Sequence, residues 1–60
     1  MRMRAIRERQ GLSIRSLASK AKMSFTFVCN IENGKADPSL STLKRVAKAL
    51  KVKVADLIDE

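Results

Sequence analysis

The sequence contains no histidine, tryptophan or tyrosine, one cysteine, one proline and two glycines. A lone Cys29 cannot close a disulfide within the chain, and without histidine the usual four-ligand zinc site cannot be assembled. The missing histidine also removes the commonest general base and every Ser/His/Asp or Cys/His arrangement. Six scattered acids suggest no paired carboxylate chemistry. Neither an enzyme nor a cofactor, a metal or a small-molecule ligand is expected. Charge interrupts every apolar run well before the length of a bilayer span, and no stretch has the pattern of a secretory leader. A cytoplasmic protein without a membrane role is the expectation.

What is present is one small domain over residues 1–60. With 45% hydrophobic and 32% charged residues the chain is too apolar for disorder, and a chain of this length sits near the lower limit of independent folding. Thirteen Lys and Arg against six Asp and Glu give a formal charge of +7. Residues 1–24 carry seven bases and one acid, a net +6, whereas residues 25–60 carry six bases and five acids, a net +1. A field this lopsided calls for a polyanionic partner.

Turn residues cut the chain into five helical segments, with no strict period of two that would support a strand. The first runs from about Arg2 to Gln10 and ends on Gly11; its inner stripe is Met3 and Ile6, and helical spacing adds Arg7 and Gln10. A guanidinium on an inward face needs a partner. Ser13 can cap a second helix, Ile14 to about Lys20, with Leu17, Ala18 and Ala21 inside. Ser24 can cap a third, Phe25 to Asn33, with Val28 and Ile31 inside, Gly34 as its stop, and Phe25, Thr26, Cys29 and Asn30 outside. Ser39 can cap a fourth whose inner stripe is Leu40, Leu43, Val46, Ala47 and Leu50. A short fifth, Ala55 to Ile58, folds Leu57 back as a lid.

Segments two and three are separated by a short turn, and Ser24 through Ile31 carries no charge while Lys20, Lys22 and Lys35 flank it. Short or planar neutral side chains can read base edges in the major groove, while cations grip the phosphates on either side, so a neutral face flanked by bases suits this task. Gly11-Leu12-Ser13, Leu17-Ala18, Ala21, Met23-Ser24, Val28, Ile31-Glu32-Asn33-Gly34-Lys35, Pro38-Ser39-Leu40 and Leu43 to Leu50, in this order, resemble the Cro/phage-repressor (XRE-like) helix-turn-helix family over nearly the whole chain. That resemblance implies an all-α, five-helix fold with the helix-turn-helix unit at about 14–33, and sequence-specific binding of double-stranded DNA. Three positions depart from the family pattern. Ile14 stands where a Gln usually supports phosphate and reader contacts, so Arg15 or Ser16 would substitute. Lys22 and Lys51 stand at two turn glycines, and holding them left-handed costs about 1 to 2 kcal/mol each.

The inner stripe and the resemblance together pair Arg7 with Glu32. Helical spacing forbids Phe25 and Phe27 from both facing inward. The resemblance makes Phe25 a base-edge residue able to touch a thymine methyl and Phe27 a half-buried neighbour of the sugar-phosphate backbone. Phe25, Thr26, Cys29 and Asn30 are the expected base-reading positions; Thr26 and Asn30 are the better readers, Asn because it can bond adenine in two places, and Cys29 behaves as a small filler among them. Ser13, Arg15, Lys22, Ser24, Asn33 and Lys35 are the expected phosphate contacts. Arg2, Arg4, Lys48 and Lys53 read as solvated. The expected function is a transcriptional regulator, a repressor, working as a homodimer on a two-fold operator. The rival is an antitoxin or protein-interaction module reusing the fold, which exposure of both Phe25 and Phe27 would favour. Structured RNA is disfavoured for want of stacking aromatics.

Overall fold

Three of the helices begin the same way and four end the same way. In the computed structural model, which describes residues 1–58, the elements are α1 (Met3–Arg9), α2 (Ile14–Ala21), α3 (Phe25–Glu32), α4 (Leu40–Leu50) and α5 (Val54–Ile58). Residues 59 and 60, the end of the expected domain span, lie outside the described residues. The hydroxyls of Ser13, Ser24 and Ser39 accept from the amides of Ser16, Phe27 and Thr42, which satisfies one otherwise orphaned donor at the start of α2, α3 and α4.

Each of α1 to α4 closes with a left-handed residue and two backward hydrogen bonds. Gly11 donates to Glu8 and Leu12 to Arg7; Lys22 to Ser19 and Met23 to Ala18; Gly34 to Ile31 and Lys35 to Asn30; Lys51 to Lys48 and Val52 to Ala47. The residue following the left-handed position folds back against the core at Leu12, Met23 and Val52. Glycine takes that position at φ 72° and 74°, as its missing Cβ allows, but lysine takes it at Lys22 (φ 58°) and Lys51 (φ 59°).

The inner stripes meet in one core. Met3, Leu17, Val28, Val46, Leu50 and Leu57 are its fully buried large side chains, joined by Ile6, Ala18, Ile31 and Ala47. Each such Leu, Val, Ile or Met contributes about 1.5 to 3 kcal/mol of transfer free energy. Helix α2 packs on both α3 and α4, while α5 closes over α4 and α1. The amide of Arg2 donates to the Leu57 carbonyl at 2.6 Å, tying the start of α1 to α5.

Two expectations change. Leu40 is not part of the buried stripe: it is 61% exposed, Leu43 is half-buried, and only Val46, Ala47 and Leu50 are fully inside. The covered face of α4 therefore begins at Leu43, which packs half-buried against the core, and Leu40 at its start lies outside that face. The helix ends also shift by a residue or two. α1 spans Met3–Arg9 and α3 stops at Glu32 with Asn33 as its cap, because the left-handed closures at Gly11 and Gly34 fix where the ladders stop. α5 begins at Val54, where the Asp56 carboxylate accepts from the Lys53 amide. Among the described residues no helix is long and apolar enough to cross a membrane.

Replacing either left-handed lysine by glycine relieves strain of about 1 to 2 kcal/mol and returns part of it as chain entropy, about 0.5 to 1 kcal/mol. Lys22→Gly and Lys51→Gly should each raise the melting temperature, by on the order of 4 °C for a domain this small. Thermal unfolding followed by circular dichroism checks the sign; a fall in both variants would contradict the strain argument.

Candidate nucleic-acid interface

The α3 sequence, Phe-Thr-Phe-Val-Cys-Asn-Ile-Glu, is dominated by aromatic and β-branched residues that form helices reluctantly, and eight residues alone are too few for a stable helix in water. Packing supplies the helicity: Val28 and Ile31 are buried and Phe27 packs half-buried against the core. The last residue, Glu32, stands at the negative end of the helix dipole, an unfavourable place for a carboxylate.

Two arginines of α1 offset that. Arg7 Nε donates to Glu32 Oε2 at 2.8 Å and its second nitrogen to Oε1 at 3.2 Å, while its remaining terminal nitrogen donates to the Leu12 carbonyl at 2.7 Å. Arg4 Nε donates to the same Oε1 at 3.2 Å, and Arg4 also donates to Asn33 Oδ1 at 2.7 Å. The Glu32 side chain is fully buried and that of Arg7 is 9% exposed, against 51% for Arg4. Hydrogen bonding to Glu32 outweighs desolvation and raises the Arg7 pKa above its ordinary value. Among the described residues no buried side-chain nitrogen or oxygen lacks a partner.

At the other end of α3, Phe25 is 41% exposed and the Arg15 guanidinium lies 4.8 Å from the centre of its ring. This cation–π contact joins the first turn of α2 to the first residue of α3. Thr26 is exposed, and Cys29 and Asn30 are half-buried, so Phe25, Thr26, Cys29 and Asn30 form one uncharged face, three and four residues apart. Eight residues make a rod of about 12 Å, comparable with the width of a major groove. Ser13 and Ser24 cap the starts of α2 and α3, and Asn33 and Lys35 are exposed just past the end of α3. The Asn33 carbonyl oxygen is occupied by Arg4, which leaves its amide NH2 as the outward donor.

An eight-residue helix, a three-residue turn through left-handed Lys22, and a second eight-residue helix with an uncharged outer face are now in place, and the family model described as helix-turn-helix matches residues 3–57. The chain belongs to the helix-turn-helix family. Relatives of this helix-turn-helix chain include the HTH-type transcriptional regulator DdrOP3 of Deinococcus deserti, 33% identical over 58 residues, and the immunity repressor protein of Bacillus phage phi105, 41% identical over 59. The matches cover 97% and 98% of this chain but only 45% and 41% of the relatives, so it spans less than half their length. The crystal structure of the restriction-modification controller protein C.AhdI from Aeromonas hydrophila superposes with a TM-score of 0.93 at 30% identity, over 95% of this chain and 86% of that one.

Three side-chain contacts that brace the helix ends have no clear signal in the sequence. Arg4 reads as solvated, yet it lies one turn before Arg7 on the same face of α1, a spacing that could have placed it near Glu32. Arg45 Nε donates to the Ala21 carbonyl at 3.2 Å and its terminal nitrogen donates to the Lys22 carbonyl, capping α2 and holding the left-handed turn. No local pattern around Arg45 announces this. Gln10, expected on the inner stripe, is instead exposed at the end of α1, and its side-chain amide donates to the Leu50 carbonyl at 2.7 Å to cap α4.

Removing the carboxylate of Glu32 leaves the enclosed Arg7 charge without its partner, so Glu32→Ala should destabilise the fold by about 3 to 5 kcal/mol in the absence of any nucleic acid. Arg4→Ala removes a largely exposed member of the same cluster and should lose less than about 1 kcal/mol. Urea unfolding of the two variants measures the ratio; equal losses would contradict the unequal burial.

Proposed function

We propose that this chain is the DNA-reading domain of a transcriptional regulator, a repressor, that binds double-stranded DNA in the cytoplasm as a homodimer on a two-fold operator. The observation that carries the reading is the uncharged outer face of α3, clamped at its far end by Glu32 and flanked by cations. In this reading Thr26 and Asn30 bond base edges, Phe25 contacts a pyrimidine methyl and Cys29 fills the space between them. Ser13, Arg15, Lys22, Ser24, Phe27, Asn33 and Lys35 line the sugar-phosphate backbone. With Ile14 at the start of α2, the guanidinium stacked on Phe25 substitutes for the usual amide, linking phosphate grip to reader placement. The relatives' names, a transcriptional regulator and an immunity repressor, support the same reading. Dimerisation follows from the few base pairs one reading helix can touch.

The rival of a protein-interaction module would use exposed apolar surface on α3. That surface amounts to one ring, Phe25, since Phe27 packs half-buried on the core. The relatives, named as a transcriptional regulator and an immunity repressor, lend no support to an enzyme either.

Reading and gripping fail differently. Asn30→Ala should lose about 1 to 3 kcal/mol on a selected site and little on scrambled DNA, whereas Lys35→Ala should weaken both about equally and lower the slope of log affinity against log salt by about one. Fluorescence anisotropy on the two duplexes at several salt concentrations measures both. If Asn30→Ala weakens both duplexes alike, α3 is not the reader.

A further inference from the structure

A cleft outside the α3 face lies between the C-terminal end of α2 and the C-terminal half of α4. It is an open groove of about 440 Å3 lined by Lys20, Ala21, Lys22, Arg45, Lys48 and Ala49. Four of these six side chains are cationic, and the two alanines form an apolar floor between them. No carboxylate lines the cleft, and among the described residues none of the four cations is ion-paired. Cations gathered on one concave surface repel one another, and the concavity focuses their field on whatever anion enters.

One of the four is already fixed in place. Arg45 is tied by its two hydrogen bonds to the carbonyls of Ala21 and Lys22, so its charge is held on the wall without the ordering cost a free side chain would incur. The same bonds cover the negative end of the α2 dipole, which would otherwise repel an anion from this position. Lys20, Lys22 and Lys48 are exposed, with flexible stems that can close over a ligand. The volume falls within the range of small-molecule clefts.

We propose that this cleft binds an anion carrying two or more linked phosphate groups, supplied either by a free phosphorylated molecule or by successive phosphates of a nucleic-acid strand. Multiple phosphates match multiple cations in a way that a single carboxylate does not, and the apolar floor favours a ligand with a body beside its charge. The strand source rests on the DNA-binding reading above; the free source does not.

The probe is inorganic pyrophosphate, titrated into the isotopically labelled full chain and followed by amide chemical shifts. Saturable shifts concentrated at residues 20–22 and 45–49 are expected, and the double variant Lys20→Gln/Lys48→Gln, which leaves Arg45 and the floor untouched, should weaken pyrophosphate about tenfold. Duplex binding by the same variant assigns the source. A salt slope lowered by about two places strand phosphates in the cleft, and an unchanged slope assigns it to a free phosphorylated molecule. Shifts spread evenly over all basic residues, or a pyrophosphate affinity unaltered by the double variant, overturn the proposal. If the chain binds no DNA at all, localised pyrophosphate shifts still support the cleft, so the two readings fail separately.

Discussion

The Glu32 carboxylate is the constraint on which the rest of the structure depends. It closes a helix whose own residues favour other conformations, and it stands where the helix dipole opposes it. It is held by two guanidinia of α1, one enclosed and one open to water. A buried ion pair of this kind adds little net stability compared with an apolar contact, but its two bonds from Arg7 couple the orientation of α1 to the end of α3. In the proposed role of α3 that orientation matters, because a hydrogen bond to a base edge weakens as its distance and angle depart from their narrow preferred range.

The remaining helices are positioned by repetition of one device. A serine opens α2, α3 and α4, and a left-handed residue closes α1 to α4, so the elements are short, sharply bounded and linked by tight turns. Where lysine replaces glycine at two of those closures, side chains from elsewhere reinforce the helix ends: Arg45 binds the carbonyls at the end of α2 and Gln10 the carbonyl at the end of α4. The turn that sets the angle between α2 and α3 is thereby fixed from α4, outside the helix-turn-helix unit itself.

Much of this was legible in the sequence because it is local. Serine caps, glycine stops and the spacing of Leu17, Val28, Val46 and Leu50 depend on residues within one or two turns, and they yielded five helices and nearly all of the core. The order of the eight motif blocks yielded the family. Long-range features were legible only in part. An arginine in the inner stripe announced that it needed a partner, but Arg4 and Arg45 lie on exposed positions where sequence alone cannot distinguish a solvated cation from a clamp. Leu40 failed for the opposite reason: periodicity places a residue on a face but does not say how far along the helix that face remains covered.

The claim that α3 is a sequence reader is tested most directly by selection of the full chain against a pool of random duplexes, followed by sequencing of the bound fraction. The account predicts enrichment of one motif, built as an inverted repeat with half-sites about one helical turn apart. It also predicts that substituting Thr26 or Asn30 changes the enriched bases without abolishing retention. A bound fraction indistinguishable from the starting pool, with parent and variants alike, would contradict it.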